Sequence, residues 1–366
     1  MQQMSKKKIC LVGDSLSVGG AERVMADLSN YFFSKGIEIH VVIVQDKITY
    51  SYSGELLNLG LYKKRGVINK IDRLLRLKNY LEKHDFDYVI DFRFKNHYLQ
   101  ELITNELVNT NKKVVFTIHS SILKYYIPEN SILAKLLFRK AYGIVTVSDR
   151  IKQKVAGLGL SDNLECIYNP VIIDRIRLKM DADNAPEYKY VLAAGSMNHQ
   201  TKQFDKLINT YALSDLPAKG IKLVILGEGK LKSSYVEQVN EMKLDDMIIF
   251  PGFKSNPFVF MKHAMFFILS SKKEGLGMVL IESLACGTPV ISFDCDAGPS
   301  EIIQHRVNGL LIKDQDFDEL RNGMNTMVED EELYISCKQN ALISIDKFSI
   351  ESIGHNWLEF LKIEEK

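Results

Sequence analysis

Short apolar runs alternate with amphipathic segments along the chain. In the first half the runs fall at 8–12, 37–44, 87–92, 113–118, 143–147 and 164–168. In the second they fall at 190–194, 221–226, 247–250, 266–269, 290–293 and 308–312. Runs this short and this apolar suit strands buried on both faces, as in a parallel sheet. Helical spacing returns between them. Val24, Leu28 and Phe32 share one face of the segment 21–35, which Gly36 ends, and Ile350, Ile353, Trp357 and Phe360 form a stripe in the tail 349–366. Strand and helix in repeated alternation predict an α/β chain of two doubly wound, Rossmann-like domains. Asn169-Pro170 closes the first, because proline disfavours helix at the preceding residue. The expected division is 1–168, 169–348 and a terminal helix, 349–366, with 174–187 as a charged, irregular linker.

The stretch 270–301 carries the densest chemistry. A strand ending at Leu269 runs into a glycine turn, Glu274-Gly275-Leu276-Gly277, and then a helix from Met278 to a stop at Gly287. In a parallel sheet such a turn opens into a crevice, and the free N–H groups at the helix N-terminus face any anion bound there. Glu274 lies on the turn and Glu282 about two turns into the helix, so one reaches the mouth of the crevice and the other reaches deeper. His119 ends the strand 113–118 and points into the crevice of the first sheet. Gly19-Gly20 precedes the first helix, where small residues serve a tight turn, the close approach of a ligand, or both. It lacks the full G-x-G-x-x-G of a dinucleotide site.

With 366 residues, 46% hydrophobic and 25% charged, the chain suits two globular domains. No apolar run reaches the ~18–20 residues that span a bilayer. The five cysteines are odd in number and lack C-x-x-C spacing, which fits a reducing cytoplasm and gives no metal site. The net charge of +1 hides an asymmetry: residues 1–168 hold 25 Lys and Arg against 17 Asp and Glu, and the remainder hold 22 against 29. The basic excess concentrates at 61–83 (Lys63, Lys64, Arg65, Lys70, Arg73, Arg76, Lys78, Lys83), where Ile71, Leu74, Leu75, Leu77 and Leu81 are the expected buried stripe. A second basic amphipathic helix is expected at 131–141, with Lys135, Arg139 and Lys140. Either is an ordinary solvated face or a docking surface for an anionic leaflet. Neither interleaves aromatic residues in a nucleic-acid pattern, so no nucleic-acid partner is expected.

The glutamate pair, Gly275, Gly277, the Glu-Ser-Leu-Ala run from Glu282 and the Gly287-Thr288-Pro289-Val290 sequence resemble the signature of glycosyltransferase family 4. The likeness extends over nearly the whole chain, from Gly19-Gly20 to Asn308-Gly309. It implies the GT-B architecture, two Rossmann-like domains facing across a cleft, and a retaining sugar transfer from a nucleotide diphosphate without a metal cofactor. By resemblance Glu274 sits at the donor sugar and Glu282 binds the ribose hydroxyls. His119 lies close to the sugar, and the loop around Phe253 meets the base. The family's Gly-Arg-Leu becomes Gly195-Ser196-Met197 here, with Lys202 following one position late. Lys202 can keep the diphosphate role, while Ser196 offers only a hydroxyl. Diphosphate binding then leans on the amides of Gly275, Leu276, Gly277 and Met278.

The expected enzyme is a retaining glycosyltransferase that uses a UDP-sugar and a lipid-linked or glycan acceptor in surface-polysaccharide synthesis. Its expected place is the cytoplasm, with peripheral attachment to the inner face of the membrane. Two alternatives stand beside it. A nucleotide-sugar epimerase of the same architecture would isomerise donor without acceptor. A catalytically inactive sugar- or lipid-binding partner protein would fail to bind UDP.

Overall fold

The computed structural model describes residues 6–17, 19–64, 66–95, 97–107, 112–181 and 185–365. The chain divides into two compact units: residues through Pro170 together with those from Ile350 onward, and Val171–Ser349.

In the first unit, strands β1 (Lys8–Gly13), β2 (Glu38–Ile43), β3 (Glu55–Asn58), β4 (Tyr88–Asp91), β5 (Lys113–Ile118), β6 (Ala141–Thr146) and β7 (Leu164–Cys166) are ordered β3-β2-β1-β4-β5-β6-β7, all parallel. The helices are α1 (Gly20–Ser34), α2 (Val67–His84), α3 (Tyr98–Leu107), α4 (Ser131–Phe138) and α5 (Asp149–Ala156). The second unit holds β8 (Tyr190–Ala194), β9 (Lys222–Leu226), β10 (Ile248–Gly252), β11 (Phe267–Leu269), β12 (Val290–Phe293) and β13 (Gly309–Ile312) in the parallel order β10-β9-β8-β11-β12-β13. Its helices are α6 (Ile173–Met180), α7 (Phe204–Ala212), α8 (Lys232–Glu241), α9 (Phe258–His263), α10 (Met278–Ala285), α11 (Pro299–Ile302), α12 (Phe317–Glu329) and α13 (Glu331–Ala341). The chain then rejoins the first unit as α14 (Ile350–Phe360).

Both faces of the first sheet are covered, which is why its strands read as unbroken apolar runs. On one face Ile9, Leu11, Val41 and Ile90 pack with Leu28 and Phe32 of α1 and with Ile353 and Trp357 of α14. Each such side chain contributes about 1.5–3 kcal/mol when fully buried. Gly354 lets the two helices close up, since a Cβ there would stand 2.1 Å from the Tyr31 ring. On the other face, α2 packs rings of Tyr80 and His84 on His40 of β2, and Phe138 of α4 meets Phe116 edge-on at 5.1 Å.

Two expectations give way. The segment 174–187 is not wholly irregular, because residues up to Met180 form α6, which packs on α9 and α10. Ile173, Ile176 and Met180 keep helical spacing beneath a charged composition, and Ile176 is buried. Second, the stripe assigned to α2 is only partly inside. Leu77 and Leu81 are buried, while Ile71 and Leu75 are 52% and 51% exposed. Arg65 lies outside the described residues. Lys202 ends a single 3-10 turn, and Gln203, at φ 51°, separates it from α7. Among the described residues, no helix is long and apolar enough to cross a membrane.

Candidate functional site

In the second sheet the chain winds outward from β8 to β9 and β10 on one side and from β11 to β12 and β13 on the other. The point between β8 and β11 is therefore a topological switch, where neighbouring loops diverge and leave a crevice at the strand ends. Two loops meet there. Residues 195–203 follow β8, and residues 270–277 follow β11. They are stitched together by Lys272 N to Thr201 O (2.9 Å), Ser270 Oγ to Lys202 O (2.7 Å) and Gln203 Nε2 to Ser270 O (2.9 Å). Across this seam Lys202 Nζ donates to Glu274 Oε1 at 2.6 Å, with side chains only 19% and 14% exposed.

Glycines set the approach of the surrounding backbone. A Cβ at Gly227 would fall 1.9 Å from Gly195 O, and one at Gly229 would fall 2.3 Å from Met197 C. The loop after β9 therefore presses on the loop after β8, where Met197 N also donates to Glu228 O at 2.9 Å. Gly298 does the same from the loop after β12: its Cβ would stand 2.0 Å from Leu276 O, at φ 95°. Gly277, at φ 96°, turns the chain into α10, whose N-terminus has no side-chain cap. Its first N–H groups are thus left for another acceptor.

The remaining residues singled out in this unit hold varied positions. Gly275 and Met278 are half-buried and Leu276 is buried. Glu282 is half-buried in the second turn of α10, and its charge adds to the burial that pushes the Cys286 thiol up to about 12. Ser196 is exposed and spends its oxygen inside its own loop, accepting from Asn198 N and Nδ2 at 3.3 and 3.1 Å. Phe253 stands 73% exposed just past the end of β10.

His119, Gly19 and Gly20 belong to the first unit. Gly19 has φ 145° before α1, and a Cβ there would meet the Glu22 carboxylate at 2.0 Å, whereas Gly20 faces open space. His119 Nε2 lies 3.0 Å from Thr117 Oγ1, whose own hydroxyl donates to Asp91 O at 3.1 Å. The Thr117 proton is committed, so His119 is the donor at Nε2 and carries its lone pair on Nδ1. Nδ1 is buried and meets no hydrogen-bond geometry. Burial holds the ring's pKa down at about 4, partly offset by the nearby Asn169 side chain.

The sequence reading passed over one buried ionic cluster in this unit, at the end of β4. Arg93 grips Asp91 with Nε to Oδ1 at 2.9 Å and Nη2 to Oδ2 at 2.8 Å, and reaches Glu101 Oε2 at 3.0 Å. Lys95, 1% exposed, also donates to Asp91 Oδ2 at 2.8 Å. The two cations hold the Asp91 carboxyl well below the usual range despite its burial. The signal was present as alternating charge in Asp91-Phe92-Arg93-Phe94-Lys95, directly after an apolar run.

Residues 18–175 match the family model Glycosyltransferase Family 4, and residues 174–343 match Glycosyl transferases group 1. The chain is a glycosyltransferase built of these two family domains. It is 28% identical over 95% of its length, and 97% of the relative, to N-acetylgalactosamine-N,N'-diacetylbacillosaminyl-diphospho-undecaprenol 4-alpha-N-acetylgalactosaminyltransferase of Campylobacter jejuni. It is 22% identical to the amylovoran biosynthesis glycosyltransferase AmsD of Erwinia amylovora, over 97% of this chain and 99% of the relative. Among solved structures, Anabaena Alr3699/HepE in complex with UDP superposes with a TM-score of 0.76 at 19% identity, covering 97% and 99% of the two chains. A point mutant of Staphylococcus aureus TarM, in complex with Fondaparinux, alpha-GlcNAc-glycerol and UDP, gives 0.77 at 17% over 97% and 99%. These neighbours share the two Rossmann-like domains of the GT-B fold, and the glycosyltransferase is a transferase enzyme.

Proposed function

We propose that this glycosyltransferase moves a sugar, with retained anomeric configuration, from a UDP-sugar to a lipid-linked or glycan acceptor in surface-polysaccharide synthesis. The observation that carries the reading is the Lys202–Glu274 pair at the β8/β11 switch point. A donor diphosphate entering there offers Lys202 a more highly charged partner than a single carboxylate. The uncapped N–H groups at Gly277 and Met278 add a pre-aimed positive potential against the leaving charge. Glu274, released from the lysine, can accept from sugar hydroxyls and balance oxocarbenium character at the anomeric carbon. Glu282 takes the ribose hydroxyls, and the 253 loop takes the base. Lysine and amides supply the positive charge, so the reaction needs no metal cofactor and keeps its rate in chelator.

The named acceptor of the Campylobacter relative, a diphospho-undecaprenol, supports a lipid-linked acceptor here. So does α2, which exposes Ile68 (85%), Ile71 (52%) and Leu75 (51%) beside Lys64 and Lys78. An exposed apolar stripe with basic flanks suits the interface of an anionic leaflet, which would place the enzyme on the cytoplasmic face of the membrane. The second basic helix, α4, contributes less, because Arg139 and Lys140 both bind Glu106 at 2.6 Å.

The test is a transfer assay across UDP-sugars, with and without a membrane-lipid extract as acceptor source. Product that forms only with acceptor supports transfer. Isomerised donor in its absence would make the protein an epimerase, and no UDP binding would make it a binding partner without catalysis.

A further inference from the structure

His40 is the third residue of β2 and is wholly buried. In the parallel register it pairs directly with Glu55, the first residue of the edge strand β3. Paired residues of neighbouring strands present their side chains on one face of the sheet. Helix α2 covers that face, and its last residue, His84, lays its ring 4.6 Å from the His40 ring, centroid to centroid. One ligand atom from each of His40, Glu55 and His84 lies within 4.8 Å of the other two. The cluster stands toward the amino ends of β2 and β3, whereas the crevice of a parallel sheet opens at the carboxyl ends.

Hydrogen bonds fix how His40 is presented. Its Nε2 stands 3.2 Å from Glu38 Oε1, which also takes Lys8 Nζ at 3.1 Å. An ionised carboxylate only accepts, so Nε2 carries the proton and Nδ1 the lone pair. A carboxylate behind one ring nitrogen, with the lone pair of the other turned to a ligand cluster, is the arrangement that supports metal-binding histidines. Nδ1 accepts from the Tyr80 hydroxyl at 2.6 Å and faces Glu55 Oε2 at 3.7 Å. Two acceptors turned toward each other have no proton of their own to share. A cation ~2.0–2.1 Å from each bridges such a gap, and the Glu55 side chain, 70% exposed, has room to adjust to it. Burial, with His40 and Lys83 beside it, holds the His84 ring below its ordinary value, which favours the neutral imidazole that a metal takes.

We propose that His40, Glu55 and His84 bind a divalent transition-metal ion, zinc by the chemistry of the set, and that the ion ties β2, the edge strand β3 and the end of α2 together. Two imidazoles and one carboxylate suit zinc, while magnesium and calcium take oxygen ligands. Tyr80 gives up Nδ1 when the ion arrives. None of these residues belongs to the sugar-transfer site proposed above. The ion is therefore a structural clamp, and its removal lowers thermal stability without entering the reaction.

The probe is zinc chloride, titrated by calorimetry into the full chain after EDTA treatment and exchange into chelator-free buffer. Melting temperature is then read with excess zinc and with EDTA. Wild type is expected to bind zinc and to melt about 3 °C or more higher with it, by mass action. Glu55→Ala and His84→Gln should each weaken zinc by more than the ~10-fold that loss of a supporting partner alone costs, and lose most of the shift. Neither side chain is in the core, since Glu55 is exposed and His84 half-buried. The shift is read within each variant, so a change in basal stability does not enter it. Magnesium chloride at the same concentration should give no shift. Zinc bound by either variant as by wild type would overturn the proposal, because the ion then sits elsewhere. No zinc binding by wild type would also overturn it and leave His40 a hydrogen-bonded core histidine. An equal shift with magnesium would overturn it as well, since the imidazoles then play no part.

Discussion

Lys202 and Glu274 lie 72 residues apart in sequence and 2.6 Å apart in space, each mostly covered by loops from two neighbouring strands. A lysine and a glutamate so enclosed hold each other in place, and each becomes available when something displaces the other. In the proposed function the pair divides a substrate into an anionic part and a hydroxyl-bearing part. Glu274→Gln is expected to keep UDP affinity within about threefold, because a neutral amide still frees Lys202, and to cut turnover by ~10²-fold or more, on the scale of losing one charge-stabilising group. Lys202→Met is expected to weaken UDP by about tenfold or more, the ~1.5–3 kcal/mol of a charge-assisted hydrogen bond. Calorimetry and initial rates on the two variants check the division. Equal losses of binding in both would contradict it.

The glycines around this pair differ in what they tolerate. Gly298 combines φ 95° with a Cβ position 2.0 Å from Leu276 O. Gly298→Ala must move the backbone that carries Leu276 and Gly277, and about 2 kcal/mol or more of stability goes with it. Gly287 also has positive φ, 76°, but meets nothing within 4 Å. Gly287→Ala is expected to cost only about 1 kcal/mol, the conformational term alone. Urea denaturation of the two variants should rank them in that order.

His119 gives a pH signature. Its native pKa, about 4, lies below the ordinary imidazole value of 6.5. The unfolded chain takes up a proton near pH 6.5, and the native chain does not. The stability this ring contributes is thus present above pH 6.5 and declines as pH falls toward 4. His119→Gln should flatten the fall in melting temperature between pH 6.5 and 5 relative to wild type. An identical slope in both would place the titration elsewhere.

Much of the architecture was legible because a doubly covered parallel sheet demands apolar runs, and these stood out between glycines. The 3-10 turn at Lys202 was not legible, because Gln203 in the left-handed region gives no compositional sign. Helix α6 hid because charged residues outnumber Ile173, Ile176 and Met180, which keep the period. The α2 stripe was misread for the opposite reason. Ile71 and Leu75 are apolar and periodic yet face outward, and hydrophobicity alone does not report which of two apolar faces the core takes. The glutamates and glycines at 274–287 came from their resemblance to a family signature. Their contact with Lys202 could not be seen from spacing.

That outward face has its own test. Ile68 and Ile71 are already 85% and 52% exposed, so Ile68→Glu/Ile71→Glu should leave the melting temperature within about 2 °C. It should also abolish sedimentation with anionic vesicles. Unchanged vesicle binding would remove α2 from the membrane.

The proposed donor site is one location: a nucleoside diphosphate held at the β8/β11 switch point of the second unit. Hydrogen–deuterium exchange of the full chain with and without saturating UDP reads that location directly. Slowed exchange is predicted in peptides covering 195–203 and 270–280, with little change at 63–77. No protection in either loop, with UDP demonstrably bound, would contradict the account.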